Sequence, residues 1–127
     1  MHENKFQKKV IDALKKRPVF IINLHGHLMQ RAGLPDLKII HSQWHGFLEL
    51  KVGVNKPNAI QKAVAKKIAA RGVPVYILRC VEEDYSGLGD TYCKYTLEDF
   101  KGKVIKYILD LNDLLNTLIR LKKGKDE

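Results

Sequence analysis

Three ionisable residues within the stretch 33–51, GLPDLKIIHSQWHGFLELK, have the types and spacing to hold a hard cation beside a positive charge: Asp36, Glu49 and Lys51. Two carboxylates supply the oxygen ligands that Mg²⁺ prefers, with water and substrate oxygens completing its shell. An ammonium next to them can orient an attacking water or offset negative charge on a leaving group. Glu-x-Lys alone is weak evidence, because charged and apolar residues alternate on any half-exposed strand. Its weight comes from the Pro-Asp that precedes it by 49 − 36 = 13 residues.

These residues need elements to position them. Gly33 permits a sharp turn and Pro35 a stiff entry into a β-rich run over 37–41, so Asp36 stands at a strand's mouth. Residues 42–46 read as a tight connection ending in Gly46, after which the run 47–52 returns antiparallel beside the first. Leu48, Leu50 and Val52 then share one face and Glu49 and Lys51 the other, with Cα atoms about 7 Å apart. Upstream, Phe6, Val10, Ala13 and Leu14 form the stripe of an amphipathic helix over 3–16, and the apolar run 19–24 reads as a strand buried on both faces beside the Asp36 strand. Downstream, Asn58 caps a helix over 59–71 that Gly72 closes; Ile60, Val64, Ala65 and Ile68 face inward and Lys62, Lys66 and Lys67 outward. Gln61 sits where a capping box would use it. The run 73–80 is a further buried strand, with a right-handed crossover expected if it lies parallel to its neighbour. Residues 81–90 read as an exposed loop, and 92–97 and 104–109 as strands or helical turns. Leu111, Leu114, Leu115 and Leu118 form a helical stripe capped by Asp110 or Asn112. The expectation is a single α/β domain with a central mixed β-sheet flanked by helices.

The order Pro-Asp, then Glu-Leu-Lys, resembles the PD-(D/E)XK nuclease signature. GLPDL, GFLELK, Gln61 at a helix start and the words Arg71-Gly72-Val73-Pro74-Val75 look like its VRR-NUC (virus-type replication-repair nuclease) branch, over roughly residues 3–80, with 81–127 as an extension. The resemblance implies a restriction-endonuclease-like core and metal-dependent cleavage of DNA leaving a 5′-phosphate. Asp36 and Glu49 then hold Mg²⁺, for which Mn²⁺ substitutes, together with the Leu50 backbone carbonyl. Lys51 assists the water, and Gln61 faces the site. Glu3 matches the acidic residue that the family's first helix leans toward the metal, in its case through a water; equally, a first-turn carboxylate complements the helix dipole. For short stand-alone members the resemblance implies branched DNA such as four-way junctions and a homodimer.

With 23 Lys and Arg against 14 Asp and Glu, the formal charge is +9 and the sequence pI about 9.6, which favours a polyanionic partner. No apolar span, signal peptide or lipidation motif suggests a membrane. Cys80 and Cys93 are too few for a disulfide framework, suit a reducing compartment and read as small buried residues, so the expected place is the cytoplasm, a host cell's if the chain is viral. His25-Gly26-His27 lacks the further ligands of a zinc site, and loop histidines in water or against phosphates fit better. Trp44 either stacks on a base or caps the core, the commoner fate. Two rivals remain at this level: a non-catalytic nucleic-acid-binding module of the same fold, and a nuclease of the same chemistry acting on duplex or single-stranded DNA.

Overall fold

Six strands lie side by side in chain order: β1 (Phe20–Asn23), β2 (Leu37–His41), β3 (Trp44–Val52), β4 (Val75–Asp84), β5 (Thr91–Glu98) and β6 (Val104–Ile108). Every neighbouring pair is antiparallel except β3 and β4, which run parallel because helix α2 (Ala59–Ala70) carries the chain back between them. This computed structural model describes residues 1–24, 32–84, 86–89 and 91–124. The histidines at 25 and 27 and the segment that follows them, 28–31, lie outside the described residues.

Alternation along the strands sorts the sheet into two faces. Leu37, Ile39, Leu48, Leu50, Leu78, Cys80 and Leu97 form one core with Phe6, Val10 and Leu14 of helix α1 (Glu3–Leu14) and with Leu114, Leu115 and Leu118 of helix α3 (Leu114–Lys122). Each fully buried side chain of this size contributes roughly 1.5–3 kcal/mol, so this face carries the fold. The residues of opposite parity, Glu49 and Lys51 on β3, Ile77 and Arg79 on β4, Thr96 and Glu98 on β5, look toward α2. The helix that crosses over thus covers the face that holds the charged residues.

Three expectations change and the open ones resolve. The run 19–24 is not buried on both faces: β1 is an outer strand paired only with β2, and Phe20 is 63% exposed. The β2–β3 connection is only Ser42-Gln43, since His41 already pairs with Trp44 and β3 begins there. Trp44 goes into the core, and its indole lies over Gly46, where a Cβ would stand 2.5 Å from the ring and 2.7 Å from the Pro74 carbonyl. Residues 81–84 are strand rather than loop: Val81 pairs with Lys94 and Glu83 with Tyr92, whose hydroxyl donates to the Glu83 carboxylate at 2.7 Å. The run 92–97 and residues 104–108 of the run 104–109 resolve as strand, in β5 and β6. The leucine stripe packs on the chain's own core: a 3₁₀ turn, Leu111–Asp113, whose Asn112 N–H the Asp110 carboxylate accepts, leads into α3.

Candidate active site

The Asp36 carboxylate closes the end of the β2–β3 ladder. Pairing between these strands stops at Leu37 opposite Leu48. The N–H groups of Phe47 and Gly53 go to Pro74 and Cys80 on the β4 side, so by alternation the N–H and carbonyl of Leu50 turn the other way, past the end of β2. There Asp36 Oδ2 accepts the Leu50 N–H at 2.7 Å. A backbone donor that lacks a strand partner is thereby satisfied by a side chain, which locks the carboxylate beside β3. Gly33 lets the chain before Asp36 pass close against the start of α2. Its φ of +85° is left-handed, and a Cβ there would lie 2.7 Å from Ile60 Cγ2 and 2.9 Å from the Ile60 carbonyl at the start of α2.

Glu49 and Lys51 are buried, at 3% and 8% exposure, not wet as members of a solvated strand face would be. Lys51 Nζ lies 3.2 Å from Glu49 Oε2, and Gln61 Nε2 donates to the same oxygen at 2.9 Å. Lys51 Nζ also donates to Gln61 Oε1 at 3.4 Å, which closes a three-membered ring of contacts. Gln61 performs the capping role at the same time: its Oε1 accepts the Asn58 N–H at 3.0 Å while Asn58 Oδ1 accepts the Gln61 N–H at 2.8 Å. One side chain therefore ties the helix start to the charged pair.

Among the described residues, the other oxygen, Glu49 Oε1, is buried with no hydrogen-bond partner. An unmatched buried acceptor costs about 1–3 kcal/mol and calls for a functional reason. Burial, and then the neighbouring Asp36 carboxylate, push the Glu49 carboxyl up to about 7 from its ordinary 4.5, against the opposing pull of Lys51. Two carboxylates held together and away from water, one with a spare oxygen, are the donor set a divalent cation takes up. The Leu50 carbonyl faces the same side as Asp36. Mg²⁺ is ordinarily held by one or two carboxylates plus water and substrate oxygens, so these residues fit it.

Of the residues named from the sequence, Asp36, Glu49, Lys51 and Gln61 come together and Glu3 does not join them. Among the described residues no three His, Cys, Asp or Glu side chains form one ligand group. Helix α1 packs on the opposite face of the sheet, and its start lies near the end of β4, where the N-terminal ammonium pairs with Glu82. Sequence reasoning missed Arg79. Its guanidinium holds Glu98 at 2.8 Å and, through Nη1, the carbonyls of Gly53 at 2.9 Å and Asn55 at 2.6 Å, while Thr96 donates to Glu98 at 2.7 Å. It sits across from Lys51 in the β3–β4 register and pins the loop that leads to Asn58 and Gln61. The available signal was its parity with Ile77 in VYILRC, matching that of Glu49 and Lys51.

No protein-family model and no curated protein matches the chain. A solved structure does, the Holliday junction resolvase Hjc of the archaeal hyperthermophile Archaeoglobus fulgidus, with a TM-score of 0.54 and 13% identity over 76% of this chain and 75% of that one. The two chains share a fold. At this identity the likeness speaks to architecture, and it agrees with the restriction-endonuclease-like α/β core and mixed sheet expected from the sequence. Among the described residues no helix is long and apolar enough to cross a membrane.

Proposed function

We propose that this chain is a metal-dependent DNA endonuclease of the PD-(D/E)XK type that hydrolyses phosphodiester bonds in branched DNA such as four-way junctions. The observation that carries this reading is the convergence of Asp36, Glu49, Lys51 and Gln61 around a buried carboxylate oxygen that has no hydrogen-bond partner among the described residues. The fold shared with a junction resolvase supports it, as does the +9 charge. Assignment to the VRR-NUC branch rests on the sequence words GLPDL and GFLELK.

Asp36, Glu49 and the Leu50 carbonyl would hold the cation, Mg²⁺ with Mn²⁺ as substitute. When bound, it lowers the pKa of a water and offsets charge on the scissile phosphate. Lys51, fixed by Glu49 and Gln61, presents a positive group toward the attacking water and the phosphate. Gln61 holds Lys51 and Glu49 in register while its cap fixes α2. Asp36 keeps its own geometry through the Leu50 N–H. Water adds to phosphorus, the bond from phosphorus to the 3′ oxygen breaks, that oxygen leaves as a hydroxyl with a proton the water gives up, and the phosphate remains on the 5′ oxygen of the next nucleotide. A module that only binds DNA has no use for this buried carboxylate pair. Glu3 retains the helix-dipole reading. The chain works inside the cell, and cutting two opposed strands of a junction calls for two copies, so the active form is a homodimer.

The test is incubation with Mg²⁺ and, side by side, linear duplex, single strand, flap and four-way junction. Preferential cutting of the junction, abolished by chelation, is the expected result. Intact substrates in every lane would remove the nuclease reading, and equal cutting of linear duplex would remove the junction preference.

A further inference from the structure

Beside the catalytic residues, one strand over, the α2 face of the sheet opens into a groove of about 460 Å³. Its floor is Ile77, Arg79 and Val81 of β4. One wall is the loop 53–57 with the start of α2, and the other is the turn between β5 and β6. A second depression of about 450 Å³ continues along α2, and Lys62, Phe100 and Lys101 line both. Lys56, Lys62, Lys66 and Lys101 stand around this continuous surface, all exposed, and among the described residues none of them forms an ion pair.

Two acids, Glu98 and Asp99, line the same surface, and both are held by structural partners. Glu98 is taken by Arg79 and Thr96. Asp99 accepts the backbone N–H groups of Lys101 at 2.8 Å and Lys103 at 2.9 Å, and Gly102, with a φ of +91°, closes the same turn. The turn is therefore built before any ligand arrives and holds Lys101 opposite Lys62. Cross-strand partners sit about 4.8 Å apart, and Ile77 and Arg79 are the register partners of Glu49 and Lys51, so the groove starts at the edge of the charged site.

We infer that this groove, walled by α2 and the β5–β6 turn, binds the phosphodiester backbone of DNA leaving the cleavage site, with Lys62 and Lys101 facing each other across it and Lys56 and Lys66 extending the track. The inference rests on the nuclease reading for the direction of the strand. It gives the segment beyond residue 80 a role in substrate binding. Lysine ammonium groups bind phosphates as point charges, and each neutralised phosphate releases counterions.

The experiment measures binding of a labelled four-way junction in Ca²⁺ across a salt series. Wild type is compared with Lys62→Gln/Lys101→Gln and with a control pair on the opposite face, Lys5→Gln/Lys9→Gln, all checked by thermal melts. The groove pair should lower the slope of log K against log salt by about 1.8 and the control pair should leave it at the wild-type value. An unchanged slope in the groove pair, or equal losses in both pairs, overturns the inference. If the groove pair loses melting temperature, Lys101→Glu alone must still weaken binding, and wild-type affinity in that variant also overturns it. Cleavage in Mg²⁺ is read separately. Junctions that stay uncut while the slope difference appears keep the surface and remove the nuclease; cutting without a slope difference does the reverse.

Discussion

On the proposed reading, Asp36 combines a structural duty with a chemical one. It accepts the Leu50 N–H at 2.7 Å, and an amide oxygen can accept the same bond, so Asp36→Asn should melt close to wild type. Loss of its charge removes metal affinity and electrostatic stabilisation, roughly 3 kcal/mol in rate or more, so cleavage should fall at least about a hundredfold. A folded Asp36→Asn protein that cuts at the wild-type rate sinks the assignment. Lys51→Ala is less clean, because removing one partner of a buried pair leaves the other charge uncompensated. This variant should lose both cleavage and melting temperature, the second most sharply where Glu49 is ionised. Glu49 also makes stability depend on pH. Its carboxyl in the folded protein titrates near 7, above its ordinary 4.5, so the unfolded chain gives up the proton first. Stability is then full below pH 4.5 and declines as pH rises through 7, by an amount that reaches about 3 kcal/mol at most. In metal-free protein the melting temperature of Glu49→Gln relative to wild type should climb across that window, and a flat difference from pH 4.5 to 8 would contradict it.

At the scale of elements, the start of α2 joins fold and site. Asn58→Ala removes one half of the capping box and should cost about 1 kcal/mol, with cleavage kept within a few-fold. Gln61→Ala loses the other half of the box and the contacts to Glu49 and Lys51, so cleavage should fall a further tenfold or more. Equal cleavage in the two variants would reduce Gln61 to a cap. The same region shows what was legible in the sequence. Strand parity and the Pro-Asp entry place Asp36, Glu49 and Lys51 without any tertiary information, and Asn58 with Gln61 three residues on marks a helix start. Local pattern could not show that Gln61 does both jobs, since its second partner comes from another strand. Nor could it find Arg79 with Glu98, a pair 19 residues apart whose meeting depends on the β4–β5 ladder. That ladder was hidden because Glu82, Glu83 and Asp84 look like loop residues until Cys93, Tyr92 and Thr91 are set opposite them. The stripe of Leu111, Leu114, Leu115 and Leu118 announced burial but not its partner, which proves to be the chain's own sheet.

For the whole molecule, that last point moves the dimer question elsewhere. With α3 occupied, exposed apolar surface remains at Val104, Tyr107 and Leu109, on or next to the outer strand β6, whose free edge suits a two-fold partner. Light scattering with junction DNA should give twice the 14.6 kDa chain mass on top of the mass of the DNA, and Leu109→Asp should lower the protein share; one chain per junction in wild type counts against the homodimer. Metal dependence is the sharper test, because it links the two carboxylates to both stability and turnover. Among the described residues Glu49 Oε1 has no hydrogen bond, and Asp36 adds like charge, so a cation that binds the folded state relieves a cost the metal-free protein carries. Saturation at about 100 times Kd should add about 2.7 kcal/mol of stability, seen as a rise in melting temperature that Glu49→Gln abolishes. Mg²⁺ and Mn²⁺ should both raise the melt and support cleavage. Ca²⁺ should raise the melt and permit binding with little turnover, since its larger, irregular shell need not place a water for attack. Full cleavage in excess chelator, or a melting shift as large in Glu49→Gln as in wild type, would show that these carboxylates are not where the metal acts.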